Sequence, residues 1–181
     1  MSTIKENLLK MKNLSELMTD LAYSAVFLRD KTITAEVEAL YKQLRVLEEG
    51  TLKMLFRIRT PEEERIWMID MMDSISEIGH CALRLADLTK VAAYPTIIRD
   101  VLKATDKRVL TESVARRSQL ANRTIGESDV ETKTKVRILA VMRKGRWNFK
   151  ITRDLLLKPG DMIVAIGTAH AEKELHKLAS G

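Results

Sequence analysis

Through the first ninety residues apolar side chains return every three or four positions, and after Asp106 they return every second position. That single change of period constrains the fold most, because the first spacing fills one face of a helix and the second fills one face of a strand. A chain that switches once is expected to fold as α+β, with a helical bundle over residues 1–104 and a small sheet-and-helix domain over 105–181. Its 181 residues suffice for two separate cores. Composition divides at the same place. Gly50 and Gly79 precede residue 105, whereas Gly126, Gly145, Gly160, Gly167 and Gly181 follow it, so turns concentrate in the second part. Residues 1–104 carry a net charge of −1 and residues 105–181 one of +7, which makes the second part the one that attracts anions.

Met11, Leu14, Met18, Leu21, Ala25 and Leu28 form the stripe of a first long helix. Ile33, Val37, Leu40, Leu44, Leu47, Met54 and Ile58 form that of a second, with Thr51 as a polar interruption. The break at Asp30-Lys31-Thr32 is short, so the two helices are antiparallel neighbours. Thr60-Pro61-Glu62-Glu63 then reads as a helix start, with threonine as cap, proline first and glutamate third. Met68, Met72, Ile75, Gly79, Ala82 and Ala86 supply the inner face of this third helix, and Tyr94-Pro95 ends it. A short helix around Ile97–Leu102 is expected to connect the two parts.

In the second part, Val109 to Val114 alternate as a first strand and Lys135 to Met142 as a second. Lys144-Gly145 is a tight hairpin turn into Trp147–Ile151. Pro159-Gly160 turns the chain into the strand Met162–Ile166, and Thr168 caps a last helix with Ala171, Leu175 and Leu178 inside.

Chemistry-bearing patterns are sparse. Cys81 is the single cysteine, which leaves no disulfide and no cysteine metal site. Asp73, Glu77 and His80 fall at i, i+4 and i+7, a spacing that lets carboxylates and an imidazole share a divalent cation, with Glu16 and Asp20 as further oxygens. A solvated polar face is the commoner meaning of such spacing, and no metal is expected. No glycine-rich phosphate loop or nucleophile elbow occurs, and His80, His170 and His176 sit apart, so neither catalysis nor a cofactor is expected. Arg116, Arg117, Arg123, Lys133, Lys135 and Arg143 to Trp147 form a basic run, but no helix-turn-helix, zinc finger or aromatic platform accompanies it, and nucleic acid is not an expected partner. The N-terminus lacks a signal pattern and no apolar run approaches a membrane span, so a cytoplasmic protein is expected.

Residues 107–181 resemble the TrkA-C domain, also called RCK_C, a regulatory module of potassium channels and transporters. The resemblance is carried by Ser118, Thr124, Ile125 and Glu127, by Arg143 and Gly145, and by Pro159, Gly160, Asp161 and Gly167. Asn122 stands where that family usually has glycine, and asparagine tolerates the left-handed backbone such a turn requires. Some TrkA-C domains bind a cyclic dinucleotide in the cleft of a domain dimer, through an aliphatic pair, an aspartate, an arginine two residues on, and an asparagine before the central strand. Ile125 and Asp129 match this pattern, whereas Glu131 replaces its arginine and Arg137 its asparagine. The resemblance thus implies Ile125, Asp129 and Arg137 as ligand-binding residues, with a carboxylate at 131 opposing a phosphate.

Residues 8–90 are similar to one three-helix half of a PhoU domain, through Ser76-Glu77-Ile78-Gly79-His80-Cys81-Ala82. In metal-binding PhoU proteins two carboxylates occupy the places of Ser76 and His80. Together the two resemblances imply a non-enzymatic, homodimeric regulator of potassium or other cation transport. Its partners would be a separate membrane channel or transporter and a small anionic ligand such as a cyclic dinucleotide. The alternative is a PhoU-like signalling adaptor of phosphate uptake.

Overall fold

A computed structural model describes residues 3–91, 97, 100, 101 and 104–181. The fold is α+β, and the chain divides into two compact units, Met1–Tyr94 and Pro95–Gly181. The expected helix end at Tyr94-Pro95 and the connecting helix around Ile97–Leu102 fall largely outside the described residues.

The first unit is built from α1 (Ile4–Leu28), α2 (Lys31–Leu55) and α3 (Glu62–Asp87), with a 3₁₀ turn at Leu88–Lys90. Each helix packs against the other two. Thr3 and Glu6 cap α1 reciprocally: the Thr3 hydroxyl accepts from the Glu6 amide at 3.2 Å, and the Glu6 carboxylate accepts from the Thr3 amide at 3.0 Å. Arg29 turns left-handed at φ 54. Asp30 then caps α2 by accepting from the amides of Thr32 at 2.7 Å and Ile33 at 3.3 Å. Met11, Met18, Leu21, Ile33, Leu44 and Met72 are fully or almost fully buried at the centre. Gly79 leaves room on α3 for the Leu44 side chain of α2, with which a Cβ there would collide.

Three local expectations shift. Thr60 does not cap α3: Pro61, extended at ψ 144, is the cap residue, its carbonyl accepts from the Arg65 amide at 3.1 Å, and the Thr60 hydroxyl instead reaches the Glu64 carboxylate at 3.0 Å. α2 stops at Leu55, so Ile58 leaves the stripe and is exposed. Thr51 interrupts nothing, because it is buried with its hydroxyl donating to the Leu47 carbonyl at 2.6 Å, which satisfies the polar atom inside the core.

The second unit holds a four-stranded antiparallel sheet in the order β1-β6-β3-β4, with β1 Arg108–Ser113, β3 Arg137–Arg143, β4 Arg146–Asn148 and β6 Met162–Gly167. The two-residue strands β2 (Arg123–Thr124) and β5 (Leu156–Leu157) pair separately. Between β2 and β3 lie two short helices, α4 (Ile125–Ser128) and α5 (Val130–Thr134). The long helix α6 (Ala169–Ser180) closes the unit, capped by Thr168 accepting from the Ala171 amide at 3.2 Å. Leu110, Ile138, Val141, Ile163 and Ala165 of the sheet meet Ala171, Leu175 and Ala179 of α6 in one core. The β3–β4 hairpin turns through Lys144 at φ 51 and Gly145 at φ 75, the paired positive dihedrals that match the twist of a two-residue turn. β4 ends at Asn148, short of Ile151, as the Asn148 side-chain oxygen accepts from the Lys150 amide at 3.0 Å and bends the chain away.

Candidate ligand-binding cleft

Asn122, at φ 58, adopts the left-handed turn expected of it and delivers the chain to Thr124. Thr124 and Glu127 form a second capping box. The Thr124 hydroxyl accepts from the Glu127 amide at 3.1 Å, and the Glu127 carboxylate accepts from the Thr124 amide at 2.8 Å, a bond that holds that carboxyl below its ordinary range. This fixes α4. Asp129 then turns left-handed at φ 49 and starts α5.

A shallow cleft of about 190 Å³ opens beside these helices, lined by Ile125, Gly126, Asp129, Glu131, Thr132 and Arg153. The Ile125 side chain is buried and forms its apolar part. Arg153 is brought there by backbone pairing: the Gly126 amide donates to the Arg153 carbonyl at 2.7 Å and the Ile125 amide to the Leu155 carbonyl at 3.0 Å. Gly126 permits that approach, since an added Cβ would lie 3.1 Å from the Arg153 carbonyl oxygen. The Glu131 carboxylate accepts from the Ile138 amide at 3.0 Å and so ties α5 to β3. The cleft thus offers two carboxylates and one guanidinium: hydrogen-bond acceptors for amino groups and a fork for an anion.

Of the expected binding residues, Ile125 and Asp129 come together here with Glu131. Arg137 does not line the cleft; it is the exposed first residue of β3, where strand alternation turns Ile138 inward. Arg153 was not legible, because it lies in a loop with no motif of its own and only the backbone pairing places it.

Arg143 and Asp161, the family-like residues of β3 and the Pro159-Gly160 turn, form a two-pronged ion pair at 2.8 and 2.6 Å. Asp161 also accepts from the Lys158 amide at 2.8 Å. Burial alone would raise this carboxyl, but the bonds from Arg143 and Lys158 outweigh burial and hold it below its ordinary value. This pair fixes the sheet rather than a ligand.

In the helical unit no three metal-ligating side chains gather among the described residues. Glu16 pairs with Lys12 at 2.7 Å, Asp20 is buried, and His80 lies against the Tyr41 ring at a centroid distance of 6.1 Å. No helix among the described residues is long and apolar enough to cross a membrane.

No curated protein matches the chain. Among solved structures it is similar to the RCK_C domain dimer of S. agalactiae BusR in complex with c-di-AMP, at 18% identity and TM-score 0.39, covering 42% of this chain and 94% of that one. S. agalactiae BusR in complex with its busAB-promotor DNA follows at 13% identity and TM-score 0.38, covering 93% and 96%. The GsuK channel bound to NAD follows at 16% identity and TM-score 0.38, covering 62% of this chain and 21% of that one. These scores are low, and the assignment rests on the match of residues 110–180 to the TrkA-C domain family. Residues 110–180 of the second unit, with the antiparallel sheet, the capped α4 and the closing helix, form a TrkA-C domain.

Proposed function

We propose that the chain is a non-enzymatic regulator of potassium or other cation transport, acting on a separate membrane channel or transporter. The TrkA-C domain is the observation that carries this reading. In it, the cleft of Ile125, Asp129 and Arg153 takes a small anionic ligand, with Arg153 facing its charge and Asp129 and Glu131 accepting from its amino groups. A cyclic dinucleotide has both features and is the first candidate. Two copies of the chain associate through this domain, and ligand bound to the cleft shifts their arrangement.

A thermal-shift screen with cyclic dinucleotides, mononucleotides, phosphate and divalent cations tests the reading, since a ligand that prefers the folded state raises the melting temperature. An upward shift by a cyclic dinucleotide, together with a dimeric mass in solution, is the expected result. A strictly monomeric protein that responds to none of these compounds overturns it. A second reading, a PhoU-like adaptor of phosphate uptake, is favoured by the three-helix first unit; recovery of a phosphate-uptake protein rather than a cation transporter on co-purification selects it. Because the second unit is strongly basic, DNA retardation at low salt belongs in the same series.

A further inference from the structure

A second and larger cleft, of about 530 Å³, lies in the TrkA-C unit beside the β3–β4 hairpin. It is lined by Val141, Leu155, Asn148, Arg143, Lys144 and Arg146, with Trp147 at its side. We propose that this cleft binds a nucleoside diphosphate, or an organic anion of that size and charge. This cleft shares no lining residue with the Asp129 cleft.

Arg143 stands opposite Arg146, and Val141 opposite Asn148, so these four residues share one face of the hairpin. Like charges directly across a strand pair repel. Arg143 is neutralised by Asp161, and its remaining bond goes to the Leu156 carbonyl at 2.6 Å. Arg146 and the neighbouring Lys144 meet no carboxylate among the described residues, and both are exposed. These two exposed cations, two residues apart across the hairpin turn, can face an anion with two closely spaced negative charges.

The rest of the lining is not what a bare phosphate needs. Leu155 is half-buried and gives the cleft an apolar wall, while Val141 at its base is packed into the core. Asn148 has its oxygen taken by the Lys150 amide, leaving its NH₂ end to donate. The volume falls in the range of about 300–1,000 Å³ typical of small-molecule sites. A diphosphate head on Lys144 and Arg146, with an uncharged body over Leu155 that accepts from the Asn148 amide, uses all of these features. A simple inorganic anion would leave the wall uncovered.

Trp147 reports on the site. With Trp67 changed to Phe it is the only tryptophan, since the chain has two. The 181-residue Trp67→Phe protein is titrated at low salt with ADP, with pyrophosphate and with a glutamate-rich peptide. We expect a saturable change in Trp147 fluorescence with ADP, at a half-saturating concentration at least tenfold below those of pyrophosphate and peptide. Adding Lys144→Asn and Arg146→Gln should weaken ADP at least tenfold, with circular dichroism unchanged, because asparagine suits the left-handed turn position. Asp129→Asn, in the other cleft, should leave ADP binding as it is. No saturable response at millimolar ADP overturns the proposal, as does pyrophosphate or peptide binding as tightly as ADP, or a double variant that binds ADP undiminished.

Discussion

Asp161 is 1% exposed, accepts three hydrogen bonds, and stands between the end of β1 and the partner of β3. Its backbone does the same work, since its carbonyl accepts from the Val114 amide at 2.8 Å. Asp161→Ala leaves the Arg143 guanidinium without its counter-charge; that side chain is 37% exposed and rehydrates in part, so we expect a loss of about 2 kcal/mol in urea unfolding, below the ~3–5 kcal/mol of a fully buried pair. The same carboxylate sets a pH limit. Its folded pKa lies below the unfolded one, so its contribution is present above the unfolded value near ~4 and is lost as pH falls through the lower folded value. Asp161→Asn should flatten that part of the acid limb of a stability-against-pH curve, and an unchanged limb would contradict the assignment. Arg153 carries the ligand side of the argument. In the thermal-shift experiment, Arg153→Ala should remove most of the stabilisation by an anionic ligand, while Arg137→Ala, outside the cleft, should keep it.

At the level of single elements, turns and caps decide more than strand or helix interiors do. Gly145 turns at φ 75 with open space where a Cβ would sit, so Gly145→Ala meets no clash and pays only for its left-handed backbone. A destabilisation of about 1 kcal/mol is expected, on the scale of other left-handed single residues. Asp30→Ala, which removes two hydrogen bonds from the start of α2, should also lower stability by about 1 kcal/mol, measured as a shift in urea midpoint at constant slope. These elements were legible because each has a local signature: Asp30 between two apolar stripes, Lys144-Gly145 between two alternating runs, Asn122 before Thr-Ile-Gly-Glu. Where the sequence misled, a neighbour decided instead. β2 and β5 are two residues each, too short for any alternation to show, and exist because the loop after β4 folds back on α4. Thr60 looked like a cap, yet the extended Pro61 carries the first helical carbonyl and moves the start by one residue. Arg153 reaches the cleft through carbonyl pairing, which no side-chain pattern encodes.

Over the whole molecule, the two kinds of periodicity become two separate cores, and stability should follow that division. Met11, Met18, Leu44 and Met72 close one core and Leu110, Leu157, Ile163 and Leu175 the other. Leu44 and Leu157 are both 0% exposed, so truncation of either to alanine leaves a cavity costing about 3 kcal/mol. If each unit unfolds on its own, the two losses appear in different signals. In the Trp67→Phe protein, helical circular dichroism is dominated by α1–α3 and the fluorescence of Trp147 belongs to the sheet. Leu44→Ala should therefore move the urea midpoint of the helical signal and leave that of Trp147 in place, and Leu157→Ala should do the reverse. A single substitution that shifts both midpoints together would show one cooperative unit. Such coupling would also change the regulatory argument, because a ligand bound in the TrkA-C domain would then stabilise the helical unit directly, without any change in how two copies associate.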